Sequence, residues 1–152
     1  MLYLTIIITS VILDRISKVL AVKYLLPIKE IPLWEGVFHL TYCENTGAAF
    51  SMFSDSTFAL TVFSTVIALF LCIFLYRQTK LNSKKLWYLS SISMIIGGAT
   101  GNIIDRILYG YVVDYFDFTL IDFAIFNVAD CFICVGAALF CLNLIFDKEI
   151  II

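Results

Sequence analysis

Three stretches of this chain are too long and too apolar to be at home anywhere but in hydrocarbon. Residues 56–76 carry no charge in 21 positions, residues 86–104 none in 19, and residues 123–146 only one, Asp130, in 24. A helix that crosses the apolar layer of a bilayer needs about 20 such residues. A fourth stretch starts with 13 uncharged residues at 1–13, then continues through Asp14, Arg15 and Lys18 to residue 26. Pro27 and Pro32 discourage helix beyond it. The expected architecture is an all-α membrane protein of four transmembrane helices, one domain over residues 1–152. Composition agrees, because a soluble domain this small could not bury a chain that is 62% hydrophobic and only 14% charged. The first stretch is expected to stay attached rather than be cleaved as a signal peptide. No lysine or arginine precedes its apolar core, Asp14 and Arg15 interrupt it, and no small-x-small site follows.

Several function classes drop out on composition. Ten basic against 12 acidic residues give a net charge of −2, which offers no basic stripe and predicts no nucleic-acid partner. Five cysteines, mostly within apolar runs, do not suggest a disulfide framework. A lone histidine, His39, argues against a His/Cys metal centre. Neither a metal nor a cofactor is expected.

Loop charge sets the direction of the spans, since lysine and arginine favour the cytoplasmic side. Between the second and third spans lie Arg77, Lys80, Lys84 and Lys85 with no acid, a net +4. Residues 27–55 carry Lys29 against Glu30, Glu35, Glu44 and Asp55, and residues 107–122 carry Asp114, Asp117 and Asp122, a net −3 in each. Both termini are therefore expected inside and both acidic segments outside. The first external segment is long for a connector. Within it, residues 37–43 alternate in character after Glu35-Gly36 and predict a short strand pair with residues 31–34. The apolar residues 48–53 are expected to lie at the interface.

Ionisable groups inside a span are costly and mark function by default. With the predicted directions, they all fall toward the outer leaflet. Asp14 and Lys18, four apart, share a face of the first helix. Asn102, Asp105 and Arg106 share a face near the end of the third, and Asn127 and Asp130 open the fourth. Asp114 lies on the external stretch between the last two. Blander readings stand beside these. Asp14–Lys18 reads as a structural ion pair, Arg106 could snorkel to headgroups, and Asp105 could face the headgroup zone. Asp117 and Asp122 suit a solvated edge, and Cys131-x-x-Cys134 suits packing. Gly97 and Gly101 have the spacing that lets helices approach closely. Asp130 has the weakest bland reading, having no lysine or arginine nearby in sequence. If Asp114 and Asp130 converge, the pair resists full ionisation and retains one proton. One member can then take a proton from water while the other polarises an amide carbonyl or protonates the leaving amine.

Asn45-Thr46-Gly47-Ala48-Ala49-Phe50, Gly97-Gly98-Ala99-Thr100-Gly101-Asn102-Ile103-Ile104-Asp105-Arg106, Val112-Val113-Asp114-Tyr115 and Phe126-Asn127-Val128-Ala129-Asp130 occur in this order. With Asp14-x-x-x-Lys18, this pattern closely resembles the lipoprotein signal peptidases, or signal peptidase II, over the whole chain. The resemblance implies a four-span aspartic endopeptidase of the bacterial cytoplasmic membrane, monomeric and surrounded by membrane lipids. It implies removal of the signal peptide from prolipoproteins, with cleavage before a diacylglyceryl-modified cysteine, and inhibition by the cyclic peptide globomycin. Carried over by position, Asp114 and Asp130 match the catalytic pair. Asn45, Asn102, Arg106 and Asn127 match surrounding polar positions that contact peptide or inhibitor. Asp14 and Lys18 match a motif whose role looks more structural. The external strands and the segment after them resemble a cradle and flap over the substrate. Thr100 and Cys131 depart from the pattern, standing where an apolar residue and a serine are common.

Three other classes remain open from the residues alone. A proton or ion carrier should show polar residues through both leaflets. A metal-dependent lipid transferase would use Asp114-x-x-Asp117 and leave Asp130 unexplained. A purely structural membrane subunit would use the aspartates only for assembly.

Overall fold

The computed structural model describes residues 1–47, 56–81 and 85–146. Four helices, α1 (Leu2–Tyr24), α2 (Thr57–Lys80), α3 (Leu86–Tyr109) and α4 (Val128–Phe146), pack beside a small sheet of three strands, β1 (Glu30–Trp34), β2 (Phe38–Asn45) and β3 (Val112–Asp117). By length and composition, α2 and α4 are apolar enough to cross a membrane. The other two carry most of the polar groups described below. The interfacial segment expected at 48–53 lies outside the described residues.

α3 is the hub, touching each of the other helices. Small residues make this possible. A Cβ at Gly97 would come within 2.6 Å of the Ser10 Cβ, and one at Gly101 would strike the Asp14 carboxylate. A Cβ at Gly98 would meet Ala129 and Ile133 of α4, and one at Gly136 would lie 2.8 Å from the Ser91 carbonyl. The expected packing role of Gly97 and Gly101 is thus visible as close approach to α1. Position by position, Ser10 lies beside Gly97 and Asp14 beside Gly101, so α1 and α3 run in the same direction. α4 runs against them.

Two apolar clusters bracket a polar layer. One gathers Leu75, Tyr88, Leu89, Ile92 and Ile96 at the α2–α3 connection. The other gathers Ala21, Leu25, Val113 and Tyr115 where the end of α1 meets β3. Between them Asp14, Lys18, Asp105 and Asn127 are almost completely buried, whereas Phe58, Phe63, Val66 and Phe70 of α2 face outward. Charges inside and phenylalanines outside suit a hydrocarbon surrounding, not water.

The sheet is antiparallel in the order β1-β2-β3. β1 and β2 form the expected hairpin, turning at Gly36, whose φ of +69° suits a residue without a Cβ. Two features depart from expectation. Residues 112–117 form a third strand, paired with β2 from His39↔Asp117 to Asn45↔Val112. α3 delivers it by running on to Tyr109 and ending at Gly110 in the left-handed region, φ +80°. The fourth helix starts at Val128 rather than at 123. Phe126 instead hydrogen-bonds across to the strand, accepting from the Tyr115 and Phe116 N–H groups at 3.0 and 2.8 Å. Its ring stacks on Phe118. Asn127 is therefore the residue before the helix, not part of its first turn.

Candidate active site

The start of α4 organises the site. The first N–H groups of a helix lack partners within it, and here each finds one. Asn127 Oδ1 accepts from the Asp130 N–H at 3.0 Å, and Asp130 Oδ2 accepts from the Asn127 N–H at 3.1 Å. That reciprocal exchange is a capping box, with asparagine and aspartate in place of serine and glutamate. The Ala129 N–H donates to Asp14 Oδ1 of α1 at 3.1 Å, and the Val128 N–H to the Tyr115 hydroxyl of β3 at 3.4 Å. Asp130 is pinned by its own backbone and by two other elements.

Asp114 arrives from the sheet. Asn45 pairs with Val112 across β2 and β3, so Asp114, two residues on, is its diagonal neighbour on the same face. Asn45 Nδ2 donates to Asp114 Oδ2 at 2.9 Å, and Asn127 Nδ2 donates to Asp114 Oδ1 at 2.6 Å. Asn102 Nδ2 donates to Asp130 Oδ1 at 2.8 Å, and Asn102 Oδ1 accepts from Asn127 Nδ2 at 3.1 Å. Two amides, Asn102 and Asn127, thus link the two carboxyl groups, and a third, Asn45, holds Asp114 from the sheet. Asp114 is 2% exposed. Its pKa is pushed up to about 7, first by burial and further by the charge of Asp130, against the lowering effect of the Asn45 and Asn127 donors and of Lys18. A carboxyl group poised there can hold or release a proton near neutrality.

Behind the amides lies a charge cluster. Lys18 Nζ is 3.0 Å from Asp14 Oδ2, 2.9 Å from Asp105 Oδ2 and 2.8 Å from Asn102 Oδ1. Arg15 also pairs with Asp105, whose Oδ2 accepts from the Val113 N–H at 3.2 Å. The expected Asp14–Lys18 pair is present but is half of a four-member cluster. Asp105 does not face headgroups; it is fully buried and ties α3 to α1 and β3. Arg106 does not snorkel away. Its Nη2 donates to the Gly47 carbonyl at 3.1 Å, and among the described residues its buried Nε has no hydrogen-bond partner.

A cavity of about 640 Å³ opens over the pair, with Asn45, Asn102, Arg106, Asp114 and Asp130 on one wall and Ala99, Phe126, Ile133 and Val135 among its apolar lining. That size suits several residues of an extended peptide or a lipid chain. Asp117 takes no part. Three residues from Asp114, it faces the other side of β3, where it accepts from the Thr41 hydroxyl at 2.8 Å. Asp114-x-x-Asp117 is therefore not one ligand pair.

All eight residues singled out in the sequence (Asp14, Lys18, Asn45, Asn102, Arg106, Asp114, Asn127 and Asp130) meet in this one region. Sequence reasoning gave no role to Arg15 or Tyr115. Arg15 looked like a mere interruption of the first span, and its partner lies 90 residues away. The signal that would have placed the cap is Asn127-x-x-Asp130 ahead of an apolar run.

Comparison with known proteins identifies the family. Residues 6–146 match the family described as Signal peptidase (SPase) II. A lipoprotein signal peptidase of Caldanaerobacter subterraneus subsp. tengcongensis is 46% identical over 140 residues, covering 92% of this chain and 93% of that one. One from Clostridioides difficile is 40% identical over 152 residues, 98% of each chain. Two solved structures, each described as a bacterial membrane enzyme, superpose with TM-scores of 0.78 and 0.76 at 28% identity, covering 96% of this chain and 88% and 94% of theirs. With the family matched over residues 6–146 and relatives 40–46% identical over nearly the whole chain, one assignment is left: this protein belongs to the signal peptidase II family.

Proposed function

We propose that this protein is an aspartic endopeptidase that removes the signal peptide from diacylglyceryl-modified prolipoproteins, cutting before the lipidated cysteine at the outer face of the bacterial cytoplasmic membrane. Family membership supports a protease that processes lipoproteins, and the apolar exterior supports a membrane protein. The single observation that carries the mechanism is the Asn45–Asn102–Asn127 network joining Asp114 to Asp130 at the wall of the cavity.

Charge balance favours one proton on the pair. Asp14 and Asp105 are matched by Arg15 and Lys18. That leaves Arg106 as the one cation at the cavity wall among the described residues. One positive charge balances one negative charge, so a singly protonated pair makes the region neutral, as low dielectric demands. A water between the carboxyl groups gives a proton to the ionised member and attacks the scissile carbonyl, while the protonated member donates to the carbonyl oxygen. As the C–N bond breaks, the first member passes its proton to the leaving amine and the second takes one back from the diol, restoring the singly protonated pair. Arg106, whose Nε has no hydrogen-bond partner among the described residues, offers a donor to a peptide carbonyl.

Four spans with both termini inside put the pair near the outer surface, and the apolar cavity wall suits a signal peptide or an acyl chain. One chain supplies every site residue, so a monomer suffices, and a globomycin-type cyclic peptide would occupy the same cavity. Incubation of the purified protein with a diacylglyceryl-modified prolipoprotein and an unmodified control, with and without EDTA, tests the reading. Cleavage of the lipidated form alone, undiminished by EDTA, is expected; equal cleavage of both or loss in EDTA would overturn it.

A further inference from the structure

We propose that Lys18 is a positioning residue for the aspartate pair, an ion-paired brace on α1 that orients both the amide and the helix holding Asp130. This rests on the aspartic reading above and goes beyond it, since Lys18 touches neither carboxyl group of the pair. One arm runs through Asn102. Its Oδ1 accepts from Lys18 Nζ at 2.8 Å and from Asn127 Nδ2 at 3.1 Å. Both lone pairs are thereby used, so the amide cannot flip, and Nδ2 faces Asp130 Oδ1 at 2.8 Å. The other arm runs through Asp14. Its Oδ2 lies 3.0 Å from Lys18 Nζ, leaving Oδ1 to accept the Ala129 N–H, one residue before Asp130.

Position brings charge with it. Lys18 is 1% exposed, and its field lowers the pKa of Asp114 against the effect of burial. The charged and titratable groups around the pair are Asp14, Arg15 and Lys18 from α1, Cys43 from β2, Asp105 and Arg106 from α3, and Cys131 from α4. Of the cations, Lys18 alone reaches the pair through a hydrogen-bonded amide among the described residues. A purely structural ion pair would hold helices together, and its loss would lower Tm without lowering kcat per folded molecule.

The test is the pH–rate profile of cleavage per folded molecule. Lys18→Gln can fail to fold, because it strands the buried Asp14 carboxylate while Asp105 keeps Arg15. The charge-neutral pair of changes Asp14→Asn with Lys18→Gln keeps Asn102 supplied with a donor and serves as the second variant. In Lys18→Gln both limbs of the profile should move up by about one pH unit, the ordinary scale for losing a nearby cation. Lys18→Arg should move them back toward wild type. In the double variant the lost charges cancel, so the limbs stay and the rate per folded molecule should hold; Asp14→Asn with Lys18→Met, equally neutral but without a donor to Asn102, should lose more than tenfold in kcat. An unshifted profile in a folded Lys18→Gln, or equal kcat in the two neutral variants, would overturn the inference. Asp114→Asn, measured alongside, separates the two readings: a dead Asp114→Asn with an unshifted Lys18 variant sinks only the brace, whereas an active Asp114→Asn sinks the aspartic mechanism itself.

Discussion

Replacing either aspartate by asparagine should separate chemistry from folding, and the structure gives the size of both effects. Asp114 accepts two amide donors, from Asn45 at 2.9 Å and Asn127 at 2.6 Å. Asp130 also accepts two, from Asn102 at 2.8 Å and the Asn127 N–H at 3.1 Å. An asparagine can accept on one side only, and its NH₂ then faces the second donor. Each substitution leaves one buried donor unsatisfied, a cost of about 1–3 kcal/mol. Against a typical stability of about 5–15 kcal/mol, both variants should fold with a lowered Tm. Cleavage is another matter, because an amide cannot take a proton from water. The rate should fall about a thousandfold, the middle of the range for a lost general acid or base, and the double variant should be little slower than either single one. Thermal unfolding in detergent and cleavage of a lipidated prolipoprotein measure the two effects on the same preparation. A folded Asp114→Asn protein that cleaves near the wild-type rate would refute the reasoning, as would an Asp130→Asn protein that fails only by unfolding.

Asn127→Ser should keep the helix cap, since serine is as good an N-cap as asparagine. It loses both Nδ2 bonds, so activity should drop more than tenfold while Tm falls little; matched losses would count against a separate site role. Arg106→Ala should raise KM for lipidated substrate more than it lowers Tm, because its Nε has no hydrogen-bond partner among the described residues; an unchanged KM would exclude it from substrate handling. Asp114 gives stability a pH dependence whose sign is fixed. With its pKa raised from 3.8 to about 7, the folded state keeps the proton that the unfolded state releases first. Its contribution is full below about pH 4, is lost as pH rises to about 7, and disappears in Asp114→Asn, which Tm measured across that window will show. Cysteine probes at Lys80 should label only from the cytoplasm and probes at Glu35 or Asp117 only from outside, as loop charge requires; labelling of Lys80 from outside in intact cells would invert the topology.

Sequence and structure part company where contacts are long-range. Helix positions were legible because uncharged runs of that length have few other uses, and the hairpin because Glu35-Gly36 follows an apolar arm. The site residues were legible because ionisable groups in apolar runs stand out, and motif resemblance named Asn45. The third strand was harder to see. Val112-Val113-Asp114-Tyr115-Phe116-Asp117 has β-branched and aromatic residues, but its acids read as loop charge, and only the partner β2 makes it a strand. Arg15 and Asp105 were obscure for a similar reason: Arg15 looks like an interruption of a span and Asp105 like a headgroup-facing acid until α1 and α3 are laid side by side. The start of α4 shows why hydropathy placed it too early. Residues 123–126 are as apolar as the helix, yet Phe126 spends its backbone on β3, and Asn127 then needs Asp130 to close the cap. Helix start and proposed chemistry therefore rest on the same two side chains. Asn127 donates to Asp114 with the amide whose oxygen caps Asp130, so the geometry that begins the helix also sets the separation of the pair. A shorter residue at 127 can keep the cap and still lose the Asp114 contact. That coupling makes Asp130 more than a polar residue stranded in a span, which is all that hydropathy could say of it.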